Sequence, residues 1–410
     1  MKKNYIYLFL FLLIGLISGL FFLEYYNKNY AKKKIVTRYS YLKTEQEKKE
    51  NNQQTSEKQE KSASNNKDKQ SLKLIEKKLL SPEDGKIYWG AFPDFGGPED
   101  KVSKKRIEQF NKLVGKNIAW AYFSNNWGRD GIKFPLQKVE IIYSSGAVPF
   151  VRMMPRKYFD TAYDKTFSLQ KIIEGKFDKE LHKYAQDVKN FQKPILIDFG
   201  VEMNGDWFPW GGALNGGAVK TKYGDPQKAD GPERFVDAYR HIINIFRFEK
   251  VNNVTWFFHP DIYSYPEHRK WNDPKYFYPG DDYIDWIGIS VYGPQTPAED
   301  YWDTFSKIMK ERQNKILEIS QKKPIALLEF GVTDHHPLGK KSQWLKGAFA
   351  YILNQDSLLQ FKAISYWHEN WEEDDDLWAT LRLDSSSTSL NTFKNLISNE
   401  KFISTLKFSN

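Results

Sequence analysis

Residues 194–210 read PILIDFGVEMNGDWFPW, a short apolar run followed by a carboxylate, a glycine turn and two tryptophans. An apolar run of this length predicts a strand that is buried on both faces. Glu202 stands just beyond the run, and Trp207 and Trp210 follow it. A carboxylate beside a buried strand is costly unless it is paired, hydrogen-bonded or part of a functional site. The stretch therefore predicts a strand end that carries chemistry.

Seven further apolar runs have the same character. They are IYWGAFP from 87, IAWAYF from 118, AVPFVRMM from 147, NVTWFFHP from 253, DWIGISVYG from 285, PIALLEFGV from 324 and AISYWHEN from 363. Helical patterns separate them, at 104–113, 136–144, 180–191, 233–248, 301–319 and 343–353. Eight such units predict an α/β chain that folds as a (β/α)8 TIM barrel over 81–410. A doubly wound open sheet is the main alternative, but no glycine-rich phosphate-binding turn follows the first run.

Two different segments precede the predicted barrel. Residues 1–30 contain an uncharged, mostly apolar run from Tyr5 to Leu23, whose length favours an uncleaved signal anchor that spans the membrane over a cleaved signal peptide. Residues 31–80 form a charged, low-complexity linker that is too poor in apolar side chains to fold, so we expect a disordered spacer. A helical stalk is the alternative for this segment.

The expected location is the cell membrane, with a single membrane pass and an extracellular catalytic domain; secretion after signal cleavage is the alternative. The flanking charges conflict with this orientation. Lys32, Lys33, Lys34 and Arg38 follow the apolar run and outnumber Lys2 and Lys3 before it, so the positive-inside rule would place the carboxyl-terminal side in the cytoplasm. Hydrolysis of a polymer makes more sense outside the cell.

The net charge of +9 lies entirely in the first 80 residues. They hold 17 of the 61 Lys and Arg and 8 of the 52 Asp and Glu, which leaves 44 of each sign for the predicted barrel. A nucleic-acid site would need a basic face on the folded domain, so we expect no nucleic-acid partner. The chain has no cysteine, which excludes disulfides, thiol nucleophiles and thiolate metal sites.

Glu202 follows the fourth apolar run and Glu329 ends the seventh. Catalytic groups of a (β/α)8 barrel stand at the carboxyl ends of its strands, so both are candidate catalytic residues. Retaining glycosidases need two carboxylates, one that protonates the leaving oxygen and one that attacks the anomeric carbon, about 5–5.5 Å apart. The pair therefore indicates a sugar-cleaving barrel.

The strings GVEMNGDWFPWGG, YFYPGDDYIDWIGISVYG and ALLEFG occur in this order. In order and spacing they resemble glycoside hydrolase family 26, the beta-mannanase-type barrels of clan A, over residues 89 to 371. The resemblance implies that Glu202 is the acid/base and Glu329 the nucleophile, with retention of configuration. Tyr292 would hydrogen-bond the nucleophile. The family pattern departs at Val201, where mannanases usually carry a sugar-binding histidine.

Valine cannot donate a hydrogen bond, so the subsite beside Val201 differs from that of the mannanases. Mannan, mixed-linkage glucan, beta-1,3-xylan and an exopolysaccharide made by the producing cell all stay open as substrates. The predicted substrate-binding residues, each at or near a strand end, are Trp207, Trp210, Trp367, Arg152, Asn204 and His259. Trp207 and Trp210 suit stacking on sugar faces, and Trp367 suits the floor of a sugar subsite. Arg152 could bind a substrate hydroxyl, orient Glu202 or form an internal ion pair.

The sequence therefore predicts a membrane-tethered retaining glycoside hydrolase, endo-acting, whose partner is a polysaccharide. It also predicts no cofactor and no metal, because the HExxH pattern is absent and the acidic run 372–376 lacks the glycine and terminal glutamate of a calcium loop. A non-catalytic carbohydrate-binding protein on the same scaffold is the alternative from another class, and a transglycosylase would share every residue named here. The oligomeric state stays open.

Overall fold

The computed structural model of this 410-residue chain describes residues 76–159, 161–373 and 377–409. The predicted anchor, at 1–30, and all but the last five residues of the predicted linker lie outside the described residues. Within the described part, no helix combines the length and the apolar composition that a membrane crossing requires.

Eight parallel strands close into a barrel, with each strand paired to the next and the first paired to the last. They are β1 (Ile87–Phe92), β2 (Trp120–Asn126), β3 (Val148–Met154), β4 (Ile195–Phe199), β5 (Val254–Phe258), β6 (Trp286–Tyr292), β7 (Ile325–Gly331) and β8 (Phe361–Trp367). Pairs such as Trp89 with Ile364 complete the ring. The predicted (β/α)8 barrel is confirmed, and each strand overlaps one of the eight apolar runs.

Helices alternate with these strands and cover the outside of the barrel. They are α1 (Lys104–Val114), α2 (Trp127–Asp130), α3 (Leu136–Ser144), α4 (Leu169–Ile173), α5 (Asp178–Phe191), α6 (Asp230–Phe248), α7 (Phe305–Leu317), α8 (Lys341–Leu353) and α9 (Ser387–Ile397). Local chemistry sets several ends. The Ser103 side chain caps the first turn of α1, and Gly115 ends that helix in the left-handed conformation, where glycine carries no steric penalty.

The helix patterns predicted six of these helices to within four residues at each end, but they missed α2, α4 and α9. The first two are single turns of four and five residues, too short to show an amphipathic period. The third, α9, packs its Phe393 and Ile397 against the outside of the barrel after the last strand. Four short 3-10 helices are also present, at Gly212–Asn215, Lys270–Asn272, Pro274–Phe277 and Leu383–Ser385.

Aromatic side chains fill much of the core. Six tryptophans are essentially inaccessible to solvent, and they are Trp89, Trp120, Trp127, Trp210, Trp286 and Trp344. Truncating such a side chain to alanine typically costs about 3–5 kcal/mol of stability. The high aromatic content of the sequence is therefore used mainly for packing.

Residues 77–80, the last of the predicted linker, lie against the amino-terminal end of the barrel. Leu79 forms an antiparallel bridge with Phe408, and its carbonyl accepts a hydrogen bond from the Trp286 indole at 3.0 Å. Lys78 pairs with Asp285 at 2.9 Å. The chain therefore enters the barrel at the face opposite the carboxyl ends of the strands.

Beyond β8 the chain turns into a small antiparallel hairpin of β9 (Asn370–Glu372) and β10 (Trp378–Thr380). A final short strand, β11 (Phe402–Ile403), runs parallel to β1. The register between β6 and β7 shifts after Ile289, so that Ser290 lies opposite Glu329. Such irregularities often re-aim a side chain beside an active site.

Candidate active site

The carboxyl ends of the strands bring Glu202 and Glu329 together. One oxygen of each carboxylate and one ring nitrogen of His259 all lie within 4.8 Å of one another. Glu329 lies inside β7, and Glu202 lies three residues after the end of β4. The two glutamates that the sequence singles out therefore face each other across the barrel mouth.

The turn that carries Glu202 is held in an unusual backbone conformation. Gly200 has φ +60°, and a Cβ there would come within 2.9 Å of the Phe235 ring. Glu202 itself has φ +54°, which is uncommon for a residue with a side chain. Its N–H donates to the His259 carbonyl at 2.6 Å, so β5 fixes the turn. Strained residues of this kind cluster at functional sites.

The Glu202 carboxylate is held by one aromatic side chain. The indole N–H of Trp207 donates to Oε2 of Glu202 at 2.8 Å. Trp207 is 38% exposed, so its ring lies at the mouth rather than in the core. The predicted sugar contact of Trp207 is compatible with this position and stays a prediction.

Glu329 is buried, and its carboxylate has one hydrogen-bond donor and one cationic side chain beside it. The Tyr292 hydroxyl donates to its Oε2 at 2.9 Å, and Nη2 of Arg152 lies 3.4 Å from its Oε1. Among the described residues, Oε1 has no hydrogen-bond partner. The carboxylate is therefore oriented by a hydrogen bond from Tyr292 to Oε2 and by the longer ion pair of Arg152 with Oε1.

Opposing influences act on the ionisation of Glu329. Burial raises the pKa of the Glu329 carboxyl to about 8, and the charge of Glu202 acts in the same direction. The Arg152 charge and the Tyr292 hydrogen bond lower that pKa. A like charge within a few ångströms disfavours the ionised form of a carboxyl, so the charge of Glu202 favours the protonated form of Glu329.

Arg152 lies in β3, fully buried, and bridges two acids. Its Nη1 contacts Oε2 of Glu99 at 3.0 Å, and its other Nη contacts Glu329. Its guanidinium lies 4.9 Å from the centroid of the Trp367 ring. Of the alternatives for Arg152, the internal ion pair is formed with Glu99 and Glu329. The substrate contact and the orientation of Glu202 stay predictions.

His259 lies beneath the two carboxylates as part of a buried polar network. Its Nδ1 is 2.8 Å from the Tyr122 hydroxyl and 3.2 Å from Asp198, and its Nε2 is 2.9 Å from the Ser290 hydroxyl. Protein groups occupy both ring nitrogens of His259, and the predicted sugar contact of His259 stays a prediction. The ring supports the floor of the site.

The side chains of two further predicted sugar contacts are buried, and their contact with sugar stays a prediction. Trp210 is only 1% exposed, its ring stacks on Phe208 at 4.6 Å, and its indole donates to the Val201 carbonyl at 2.7 Å. Asn204 is fully buried, and its amide donates to the carbonyls of Asp261 and Tyr263. Both side chains hold loops together.

Trp367 ends β8 at the mouth. Its ring stacks on Phe92 with centroids 4.0 Å apart and planes 8° apart. The predicted role of Trp367 as a sugar floor stays a prediction. Val201, which replaces the histidine of the family pattern, is fully buried, so that position brings no polar group to the mouth.

Glu202, His259 and Glu329 are also the one group of described residues whose spacing could hold a metal ion. Two observations favour acid–base chemistry over metal binding there. His259 would have to give up a hydrogen bond to Tyr122 or Ser290, and a cation would compete with Arg152 for Glu329. The absence of a metal stays a prediction.

Sequence reasoning missed two acids at the mouth. Glu99, on the loop after β1, has φ +58° and accepts hydrogen bonds from Arg152 and from the Ser124 hydroxyl. Glu369 follows β8 next to Trp367, and burial raises the pKa of its carboxyl to about 9, with the charge of Glu99 acting in the same direction. The available signal was a carboxylate six residues after the first apolar run and another within the last run.

Comparison with known proteins agrees with this site. The model of the family described as Glycosyl hydrolase family 26 matches residues 159–326, a span that includes Glu202 and Tyr292 and ends just before Glu329. Endoglucanase H of Acetivibrio thermocellus is 26% identical over 299 residues, which are 72% of this chain and 29% of that protein. Mannan endo-1,4-beta-mannosidase A and B of Caldalkalibacillus mannanilyticus is 27% identical over 176 residues, 42% of this chain and 29% of that protein.

Solved structures show the same fold. The endo-beta-1,4-mannanase double mutant of Cellulomonas fimi superposes with a TM-score of 0.52 at 18% identity, covering 78% of this chain and 72% of that one. GH26C from Muricauda sp. MAR_2010_75 gives a TM-score of 0.51 at 18% identity, covering 80% and 87%. Each match to the two relatives above spans less than a third of the relative's length. Together with the motif strings and the paired glutamates, the family-model match and the two relatives confirm the predicted resemblance to glycosyl hydrolase family 26.

Proposed function

We propose that this chain is a retaining glycoside hydrolase that cleaves internal beta-linkages of a polysaccharide. The observation that carries the proposal is the approach of the Glu202 and Glu329 carboxylates to within 4.8 Å. Retaining enzymes separate their two carboxyls by about 5–5.5 Å, whereas inverting enzymes leave about 6.5–9.5 Å for a water molecule. The short separation favours a covalent double displacement.

Each carboxylate suits one role. Glu329 is the nucleophile, because Tyr292 holds its Oε2 by a hydrogen bond, while its Oε1 faces Arg152 and accepts no hydrogen bond from the described residues. Glu202 is the acid/base, because its carboxylate stands at the mouth, where the leaving sugar and then water can reach it. The resemblance to the family assigns the same roles.

The reaction then follows in two steps. Glu202 donates its proton to the glycosidic oxygen while Oε1 of Glu329 attacks the anomeric carbon, which forms a glycosyl ester and releases the first sugar product. The Glu202 carboxylate then removes a proton from water, and the resulting hydroxide displaces Glu329 from the anomeric carbon. Two inversions give net retention.

The names of the relatives state different polysaccharide substrates, so experiment must identify the substrate of this chain. They include an endoglucanase, two mannan endo-1,4-beta-mannosidases and a beta-1,3-xylanase. The panel to test is therefore beta-mannan, mixed-linkage glucan, beta-1,3-xylan and exopolysaccharide of the producing cell. Release of reducing ends from one polymer by residues 76–410, abolished in Glu202→Gln and in Glu329→Gln, supports the proposal. Full turnover by Glu329→Ala on that polymer would overturn it.

The proposed location is the outer face of the cell membrane, with the apolar run at Tyr5–Leu23 as the anchor. Support comes from the length of that run and from the polymeric substrate. Digestion of intact cells with an added protease tests the orientation. Loss of the barrel supports an external domain, and complete protection of the barrel until the cells are lysed contradicts it.

A further inference from the structure

Three aromatic side chains stand exposed around Glu202, on the loops that follow β4, β5 and β6. We call Trp207, Tyr265 and Tyr301 the aromatic ledge. Trp207 is 38% exposed, Tyr265 42% and Tyr301 41%, whereas most aromatic side chains of the described residues are buried. An exposed group of aromatic rings beside a catalytic centre points to a ligand surface.

The ledge is continuous with the proposed acid/base. Trp207 donates to Glu202 at 2.8 Å, and the rings of Trp207 and Tyr265 meet edge to face with centroids 5.5 Å apart. The Tyr301 hydroxyl lies close enough to the hydroxyls of Tyr263 and Tyr265 to interact with them electrostatically. The ledge therefore leads away from Glu202 over the β5 and β6 loops.

Buried polar groups hold this surface in place. The backbone N–H of Tyr265 donates to the Asn204 carbonyl at 2.8 Å, and the Asn204 amide binds the Tyr263 carbonyl. The Tyr301 hydroxyl hydrogen-bonds Glu299, whose carboxylate accepts the N–H groups of Gln295 and Thr296. Rings that are held before a ligand arrives lose little entropy on binding.

The position of the acid/base decides which part of the substrate would lie there. A general acid protonates the oxygen of the departing sugar, so it stands between the cleaved sugar and the leaving one. Trp367 ends β8, which lies across the eight-stranded ring from β4, and its ring stacks on Phe92 of β1. The ledge thus lies on the leaving-group side.

We infer that the aromatic ledge is a binding site for the leaving-group side of the polysaccharide, in which Tyr265 and Tyr301 extend the contact of Trp207 over at least two further sugar rings. The inference rests on the proposed function, and it deepens that function by naming where the chain of sugars continues. A polymer held on this side is cut internally rather than trimmed one sugar at a time. The faces of beta-linked sugars are apolar enough to pack on such rings.

The test uses Tyr265→Ala and Tyr301→Ala, with Tyr276→Ala as the matched control. Tyr276 is also 41% exposed, but it lies in a 3-10 helix whose Lys275 pairs with Glu318, just after the end of α7. It is therefore remote from the mouth. Because all three side chains are exposed, we expect all three variants to keep the wild-type melting temperature.

Two readouts separate this inference from the proposed function. The first is calorimetric binding of mannohexaose, mixed-linkage glucan hexasaccharide and beta-1,3-xylohexaose to the Glu329→Gln protein, which needs no turnover. We expect Tyr265→Ala and Tyr301→Ala each to lower the affinity for the most tightly bound hexasaccharide about fivefold to tenfold. Tyr276→Ala should leave that affinity unchanged. The second is the cleavage pattern of the same hexasaccharide, labelled at its reducing end, by the active protein.

We expect both ledge variants to move the cut toward the reducing end, because the sugars beyond the cleaved bond lose their contacts. Hexasaccharide affinity and cleavage pattern that match wild type in both ledge variants overturn the inference, even if hydrolysis is intact. Binding that needs the ledge in a protein that cleaves no polymer supports the inference and overturns the proposed hydrolysis.

Discussion

Glu329 lies inside strand β7, buried and in contact with Tyr292 and Arg152, whereas Glu202 lies in a turn after β4 and contacts the partly exposed Trp207. The two acids differ as their proposed roles require. A nucleophile must meet one carbon atom at a fixed angle, so a strand and a buried ion pair suit it. A proton shuttle must exchange with the leaving sugar and with water, so a position at the mouth suits it. The contrast teaches that the environment, rather than the residue type, separates the roles.

The largest effects are expected at the two acids themselves, and they should differ in kind. Glu329→Gln should lower kcat on every substrate by at least about 10⁴-fold, because no covalent intermediate can form. Glu202→Gln should lower kcat/KM about 10²–10⁴-fold on the polymer but far less on a dinitrophenyl glycoside, whose leaving group needs no proton in the first step. Steady-state rates on both substrates make the comparison. Equal losses for Glu202→Gln on the two substrates would break the assignment.

A smaller effect is expected at the hydroxyl that holds the nucleophile. Tyr292→Phe removes a hydrogen bond that lowers the pKa of Glu329. The acid limb of the pH profile of kcat/KM should move to higher pH, because Glu329 must lose its proton before it attacks. We also expect kcat/KM to fall about tenfold to a hundredfold at neutral pH. Tyr366→Phe is the control, since that buried hydroxyl bonds the Leu381 carbonyl instead, and an unmoved limb in Tyr292→Phe would contradict the role of Tyr292.

A weaker effect is expected on the side of the acid/base. Trp207→Phe keeps an aromatic ring but loses the N–H that donates to Glu202. We expect kcat/KM on the polymer to fall about tenfold, the value of one hydrogen bond to a charged group. Trp378→Phe, an exposed tryptophan on β10, is the matched control. A loss on the dinitrophenyl glycoside as large as that on the polymer would argue against an effect through the acid.

The smallest effect concerns stability. Burial raises the folded-state pKa of Glu329 from 4.5 to about 8, so its contribution to stability is fully present below the unfolded-state pKa and is lost as pH rises through about 8. Glu329→Gln carries no such charge. The melting temperature of Glu329→Gln minus that of wild type should therefore be a few degrees larger at pH 9 than at pH 5. If this difference in melting temperature does not change with pH, ionisation of Glu329 does not destabilise the folded protein, which contradicts the prediction.

Much of the fold and of the candidate site could be predicted from the sequence. Buried strands of a parallel barrel are continuously apolar, so the eight runs stand out, and Glu202, Glu329 and Tyr292 follow because each lies at or just beyond a strand end. The burial of Trp210 and Asn204 could not be predicted in this way. Both lie in the loop after β4, where the direction of the Trp210 side chain depends on Val201 and that of Asn204 on the loop after β5.

The ion-pair partner of Arg152 could not be predicted from the sequence either. Its alternatives could not be separated, because the choice depends on Glu99, which comes from a loop 53 residues earlier in the chain. The sequence patterns also did not predict the hairpin of β9 and β10, because its strands are short. Strands of three residues carry too little pattern to predict.

The central claim is that Glu329 forms a covalent bond to the sugar. The most direct measurement is intact and peptide mass spectrometry after incubation with an activated 2-deoxy-2-fluoro glycoside of the sugar that the polymer panel identifies. Such a compound slows both steps but leaves with ease in the first, so the ester accumulates. We predict a mass increase of one glycosyl unit on the peptide that contains Glu329, and none in Glu329→Gln. Turnover of the polymer with inversion at the anomeric carbon and no adduct, or an adduct on another residue, would contradict the account.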